Sequence, residues 1–315
     1  MPFDKFMLPR IPIIVAFTPN YLLPAAVMLA STLEASQAEA RYEVICLISE
    51  PLSPEDMMRL EAIDGGSGRL SFRTLELTEQ LSGVYVDPKY TAAANYRLVV
   101  ADLLPEYDRA IYLDCDIIVR QDLAELYQTL DLGENYLAGI AEASTPWQIS
   151  RMPQGCEAGQ YINSGFLVMN LELFRRDRIA DRLVEALRVP YLEFPDQDAL
   201  NIVCKGRVHY LAPRYNGIRT FVLPTYKEIF LRYYTEHDWA EVARRGTIHY
   251  TGEKPWRAYT LFFELWWQQY WRLPEQVKRG IEVNRRLERM ARLFSLPLVR
   301  PIANTILNFK RVLKR

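Results

Sequence analysis

The chain has 315 residues, with 38 Lys and Arg against 39 Asp and Glu, half of its residues apolar and 24% charged. Such a balance excludes disordered, collagenous and coiled-coil chains, and the length suffices for one large or two modest domains with a real core. No apolar run approaches the roughly 18 residues that span a bilayer, no basic-then-apolar leader opens the chain, and Cys46, Cys115, Cys156 and Cys204 form no CxxC pair, so a folded cytoplasmic enzyme is expected.

Short apolar runs alternate with longer mixed ones. Residues 11–17 read as a buried strand, 23–35 as a helix, 43–48 as a second strand and 53–63 as a helix capped by Ser53 ahead of Pro54. A third strand is expected over 70–75, a helix over 90–104 and a fourth strand over 109–119. This order predicts an α/β fold, a mostly parallel Rossmann-like sheet with helices on both faces, whose ligands bind beyond the carboxyl ends of the strands.

Two carboxylates, Asp114 and Asp116, interrupt the apolar run that begins at Ile111. In an extended chain residues two apart project to the same side, so these two converge. Like charges held that close force one to protonate unless a cation compensates, and hard oxygen ligands suit Mn²⁺ or Mg²⁺. A structural aspartate at a strand end and an acid/base pair are the other readings.

Order loosens over 146–161 and again over 213–235, where loops over a site are expected. Between them, Asn163-Ser164-Gly165 precedes a strand-like run and is either a ligand-bonding amide or a plain turn. In Asp196-Gln197-Asp198 one aspartate is expected to cap a helix, although two carboxylates flanking an amide also suit a sugar. His249 is a candidate third metal ligand, followed by a glycine turn at Gly252 and a phosphate-facing Lys254; the alternative is a core histidine.

The end of the chain differs. Residues 277–315 hold eleven Lys and Arg against two Glu. Over 277–294 a helix is expected, with Ile281, Leu287, Met290 and Phe294 among Arg285, Arg286, Arg289 and Arg292; a second segment, 302–313, runs into Lys310, Arg311, Lys314 and Arg315. The pattern predicts a catalytic domain over 1–273 and a basic amphipathic helical segment over 274–315 that settles on an anionic membrane surface, or else packs its apolar side on the main domain. With no basic stripe elsewhere, nucleic acid is not an expected partner.

Taken in order, Ile13-Ile14-Val15-Ala16 leading to Asn20-Tyr21, Asn95-Tyr96-Arg97-Leu98, Tyr112-Leu113-Asp114-Cys115-Asp116, Asn163-Ser164-Gly165, Asp196-Gln197-Asp198 and His249-Tyr250 with Gly252 and Lys254-Pro255-Trp256 resemble glycosyltransferase family 8, above all its bacterial lipopolysaccharide galactosyltransferases and glucosyltransferases. The resemblance implies a GT-A fold that binds a UDP-hexose and Mn²⁺ and moves the sugar, with retention, to a glycan or glycolipid acceptor. It implies Asp114, Asp116 and His249 as metal ligands and Gly252 and Lys254 as diphosphate contacts. Ala16, Phe17, Thr18, Asn20 and Tyr21 resemble the uridine-holding segment, although Thr18-Pro19 stands where the family often has an acidic residue. Arg97, Asn163, Asp196 and Gln197 match positions that touch the donor sugar and its phosphates, with Gln197 and Asp196 nearest the chemistry. Such enzymes attach to the inner face of the cytoplasmic membrane through basic C-termini. A metal-dependent nucleotidyltransferase, or a noncatalytic nucleotide-sugar-binding membrane partner, is the rival expectation.

Overall fold

The computed structural model describes residues 10–77, 92–188, 192–296 and 299. Its strands are β1 (Ile11–Ala16), β2 (Tyr42–Ile48), β3 (Leu70–Glu76), β4 (Arg109–Leu113), β5 (Ile117–Ile118), β6 (Leu137–Ala141), β7 (Ile162–Asn170), β8 (Val208–Tyr210) and β9 (Ile248–His249). Among the described residues seven of these form one sheet in the order β3-β2-β1-β4-β7-β6-β8, and β5 pairs with β9 apart from it. Only β7 runs against its neighbours; the other six are parallel, as the strand–helix alternation predicts. A strand covered on both faces can be apolar throughout, and β1 is. Its Ile13 and Val15 face a layer holding helices Leu22–Ala35 and Phe263–Arg272, while Ile14 faces the opposite layer with Val100, Leu183 and Leu200.

Some expectations change, and one open reading is resolved. The predicted strand over 109–119 is two strands, because the chain turns at Cys115 and Asp116 and sends β5 to a different partner. The predicted helix over 90–104 is a pair of 3₁₀ helices, Ala92–Leu98 and Val100–Leu103, with 90 and 91 outside the described residues. Asn163-Ser164-Gly165 is no turn but the start of the buried strand β7. The helix with the Ser53 cap forms as expected, Ser53 Oγ accepting from the Asp56 N–H at 3.1 Å.

Gly280, at φ +75°, divides the expected helix over 277–294 into Glu275–Lys278 and Arg285–Phe294. The second buries Leu287 and Ala291 in the same core as Trp266 and Trp267, and its Phe294 ring lies 5.2 Å from Tyr259 and 5.5 Å from Phe263. Buried Glu288 accepts from Arg285 at 2.8 Å, Arg292 at 3.0 Å and the Trp271 indole at 3.3 Å. Its apolar side is therefore turned inward, while Arg286 and Arg289 are exposed. The segment 302–313 lies outside the described residues. Truncating Leu287 to Ala should lower the unfolding free energy by about 2 kcal/mol or more, the range for a buried leucine. Urea unfolding of the full chain checks this, and an unchanged midpoint would show that the helix adds nothing to the core.

Candidate active site

The site lies beyond the carboxyl ends of the central strands. As β4 ends at Leu113, the Asp114 N–H donates to the Gly165 carbonyl at 2.8 Å and the chain turns through Asp116 into β5. β9 pairs with β5, placing His249 opposite Ile117, and the Tyr250 N–H donates to the Asp116 carbonyl at 3.0 Å. Asp114, Asp116 and His249 are thereby gathered so that one ligand atom from each lies within 4.8 Å of the others. His249 Nε2 stands 3.2 Å from Asp116 Oδ1 and 3.6 Å from Asp114 Oδ2. The carboxylates converge through a turn and a strand pairing, not through alternation along one strand.

Gly165 makes room for this cluster. A Cβ built there would sit 2.6 Å from Asp114 Oδ2 and closer still to His249 Cε1. Two carboxylates and an imidazole form an oxygen-rich donor set suited to Mn²⁺ or Mg²⁺, so the residues present fit a divalent cation. Lys254 Nζ ion-pairs with Asp116 Oδ2 and also donates to the Tyr250 carbonyl at 2.7 Å. Burial works to raise the Asp116 carboxyl, but Lys254 and then His249 outweigh it and hold it well below the usual carboxylate range.

Arg97 forms the opposite wall. Its buried guanidinium donates to the Ser164 carbonyl at 2.7 Å and to Asp114 Oδ1 at 3.0 Å, stands 3.4 Å from Asp196 Oδ2, and lies over the Tyr112 ring at 4.1 Å. Asp196 also accepts from Ser164 Oγ at 2.9 Å, and burial pushes its carboxyl up against the pull of Arg97. Both residues of Asp196-Gln197 sit in helix Pro195–Val203, facing the cleft. Neither aspartate is the N-cap, which falls on Phe194; Asp198, inside the helix, accepts from the Phe194 N–H at 2.9 Å and from the Tyr161 hydroxyl at 2.5 Å. Gln197 Oε1 accepts from Asn163 Nδ2 at 3.0 Å and from the Ser164 N–H at 3.1 Å.

These residues line a cleft of about 510 Å³, whose rim carries Trp147, Gln148, Arg219 and Tyr226 from the two loop regions expected over the site. The segment from Ala16 to Tyr21 leaves the end of β1 nearby but does not line this cleft; Phe17 is packed in the core, and Tyr21 meets Trp256 edge-on at 5.8 Å. Gly252 lines an adjoining cleft with Arg219 rather than this one. Among the lining or supporting residues not singled out from sequence, two bear on the geometry most. Glu142 follows β6 as Asp114 follows β4, a signal legible in hindsight; Asn216 lies in the irregular stretch after Pro213 and carries no local signal.

The sequence profile of glycosyl transferase family 8 matches residues 12–260. Over 235 residues the chain is 27% identical to General stress protein A of Bacillus subtilis (strain 168), covering 66% of this chain and 80% of that one. It is 28% identical over 195 residues to lipopolysaccharide 1,2-glucosyltransferase of Escherichia coli (strain K12), covering 59% of this chain and only 55% of the relative. The fold resembles the crystal structure of galactosyltransferase LgtC in complex with donor and acceptor sugar analogues, with a TM-score of 0.67 at 24% identity, over 86% of this chain and 99% of that one. The mostly parallel sheet with helices on both faces is thus the GT-A arrangement.

Replacing Gly165 by Ala should displace Asp114 or His249 and weaken divalent-cation binding by about tenfold or more, the scale on which groups supporting metal ligands act. Titration with Mn²⁺ measures this, circular dichroism reporting the fold. Wild-type affinity in Gly165→Ala would remove the steric argument.

Proposed function

The chain belongs to glycosyl transferase family 8, and from that premise we propose that it moves a hexose, galactose or glucose, from a UDP-sugar to a glycan or glycolipid acceptor of the lipopolysaccharide-core type, with retention at the anomeric carbon. The observation that carries this reading is the convergence of Asp114, Asp116, His249 and Lys254 on one side of a cleft whose other side is Arg97, Asn163, Asp196 and Gln197. One side suits a diphosphate, the other a sugar.

Asp114, Asp116 and His249 would hold Mn²⁺, with Mg²⁺ as the alternative. When bound, the cation supplies positive charge against the charge that builds on the departing phosphate. Lys254, kept charged by Asp116 against the effect of burial, adds a donor for a phosphate oxygen, and Gly252, in the adjoining cleft, would offer its backbone to the diphosphate from that side. Arg97 fixes Asp114 and Asp196 in one geometry, so the two halves of the cleft keep their spacing. The segment from Ala16 through Thr18 and Asn20 to Tyr21 would hold uridine at the end of β1, Phe17 through its backbone.

The hydrogen bonds of Gln197 bear on the retaining step. Its Oε1 is engaged by a backbone N–H and by Asn163, and its Nε2 donates to Glu142 at 3.2 Å. An amide oxygen so committed is a poor nucleophile, which favours attack from the same face as the departing phosphate, with that phosphate taking the acceptor's proton. Asp196 and Gln197 then orient the hexose and stabilise the positive charge at its anomeric carbon.

Asp114→Asn and Asp116→Asn should each abolish Mn²⁺-dependent UDP binding in a folded protein. Gln197→Ala and Asp196→Asn should reduce kcat far more than UDP affinity, because their contacts are with the hexose. A panel of UDP-sugars with Mn²⁺, read by released UDP, tests the activity itself. Pyrophosphate as the product would point to nucleotidyl transfer, and no product with any donor to a noncatalytic role.

We also propose that residues 274–315 form the membrane-associating segment, on the inner face of the cytoplasmic membrane. Among the described residues no helix is long and apolar enough to cross a membrane. Support comes from exposed Arg286 and Arg289 on the helix Arg285–Phe294, beside Leu293 and Leu296, each 51% exposed, and from the basic residues beyond. The full chain should sediment with anionic vesicles, attracted by about 1 kcal/mol per well-placed cation, and salt should release it. A chain ending at Leu296 keeps Leu287 and Ala291 in the core yet should bind more weakly. Indifference of the full chain to anionic vesicles at low salt would sink the proposal.

A further inference from the structure

A chain of buried hydrogen bonds leads away from His249 into the sugar side of the cleft. Asn216, fully buried, presents Oδ1 to His249 Nδ1 at 2.9 Å and donates through Nδ2 to Asn163 Oδ1 at 2.8 Å. Asn163 in turn donates through Nδ2 to Glu142 Oε1 at 3.0 Å. Glu142 forms no ion pair among the described residues; its carboxylate, pushed up by burial, accepts from Asn163, from Gln197 at 3.2 Å and from Gln148 at 2.6 Å.

The direction of every link is fixed from one end. Asn163 Oδ1 accepts the backbone N–H of Gly165 at 3.1 Å, a group that can only donate, so its Nδ2 must be the atom turned to Glu142. Because Asn163 Oδ1 can only accept, the Asn216 atom facing it must be Nδ2. Asn216 therefore turns an oxygen toward His249, and an amide oxygen demands a proton on Nδ1. Nε2, the ring nitrogen facing Asp114 and Asp116, is then the one left to offer a lone pair.

Backbone geometry keeps this link short. The Gly217 N–H donates to the Thr247 carbonyl at 2.8 Å and the His249 N–H to the Gly217 carbonyl at 3.1 Å. A Cβ on Gly217 would come within 2.5 Å of the Thr247 carbonyl oxygen, so only glycine lets the chain carrying Asn216 lie this close to β9.

We propose that Asn216 is a positioning residue for the metal site: oriented by Asn163 and anchored on Glu142, it fixes the His249 ring with its proton on Nδ1 and so readies Nε2 for a divalent cation. The proposal rests on the reading of Asp114, Asp116 and His249 as metal ligands. A ligand histidine commonly donates its other ring N–H to an oxygen, and loss of that oxygen typically costs about 10–100-fold in metal affinity. Here the source of that oxygen is a neutral amide whose orientation is set, through Asn163, by the Gly165 N–H. The same Asn163 and Glu142 that orient His249 also hold Gln197, so the two halves of the cleft share one hydrogen-bonded frame.

The test uses full-length protein labelled with ¹⁵N-histidine; its three histidines are assigned with His209→Gln and His237→Gln. In the metal-free wild type, His249 should carry a proton on Nδ1, and Asn216→Ala should remove the hydrogen-bonded Nδ1–H signature. Mn²⁺ affinity should fall by about 10–100-fold in Asn216→Ala and recover only in part in Asn216→Asp, which keeps an oxygen for the ring but sets a second acceptor against Asn163 Oδ1. A merely structural role for Asn216 would lower the melting temperature of Asn216→Ala without moving the Nδ1 proton. That outcome, an unprotonated Nδ1 in the wild type, or wild-type Mn²⁺ affinity in Asn216→Ala would each overturn the proposal. Should Asn216→Ala fail to fold, the wild-type Nδ1 measurement still decides. Equal Mn²⁺ affinity in wild type and Asp116→Asn would sink the metal-ligand reading instead, and the Nδ1 result, obtained without metal, separates the two failures.

Discussion

Too many acids face too few buried cations at one end of the sheet. Asp114, Asp116, Glu142 and Asp196 all line the cleft, and the side chains of opposite charge that meet them are buried Arg97 and half-buried Lys254. A charge taken from water is costly unless it is paired and hydrogen-bonded. Each acid meets that demand differently. Asp116 is held by Lys254, Asp114 and Asp196 share Arg97, and Glu142 relies on neutral amides alone. The remaining negative surplus is what a divalent cation would balance. Arg97 ties the two halves of the cleft together by charge, because it reaches Asp114, Asp196 and the Ser164 carbonyl at once.

The sheet's departures from a simple parallel order serve this arrangement. β7 runs against β4 and β6, so its first residues, Asn163 to Gly165, lie beneath the carboxyl ends of its neighbours, where Asp114 and Glu142 emerge. A two-residue pairing such as β5 with β9 has little stability of its own. It is held because Ile117, Ile118, Ile248 and Tyr250 all join the core that contains Trp266 and Trp267. The position of His249 is thus set by packing well away from the cleft.

Much of this was readable from local pattern. β1, β2 and β3, the helices between them and the Ser53 cap follow from apolar runs and turn chemistry, which act over a few residues. The acids at Asp114 and Asp116 stood out because they break an apolar run. Where the chain turned instead of continuing, as after Leu113 and at Gly280, pattern alone misjudged the element, since the reason was a partner strand or a packing surface far away in sequence. Asn216 was invisible for the same reason. An asparagine in a loop says nothing until the fold brings Asn163 to one side of its amide and His249 to the other.

The C-terminal helix shows how burial narrows what charge can do. From sequence its apolar residues had two destinations, a membrane surface or the main domain, and Leu287, Ala291 and Phe294 are engaged with the core. Of its arginines, Arg285 and Arg292 are partly neutralised by Glu288, leaving Arg286 and Arg289 as the cations of this helix without a carboxylate partner among the described residues. Two exposed cations would supply only about 2 kcal/mol at an anionic surface, too little for stable attachment, and charge paired within the protein adds less. Attachment through residues 274–315, as proposed, would therefore have to draw on further cations of that segment, Arg279 among the described residues and Arg300, Lys310, Arg311, Lys314 and Arg315 in the sequence beyond them.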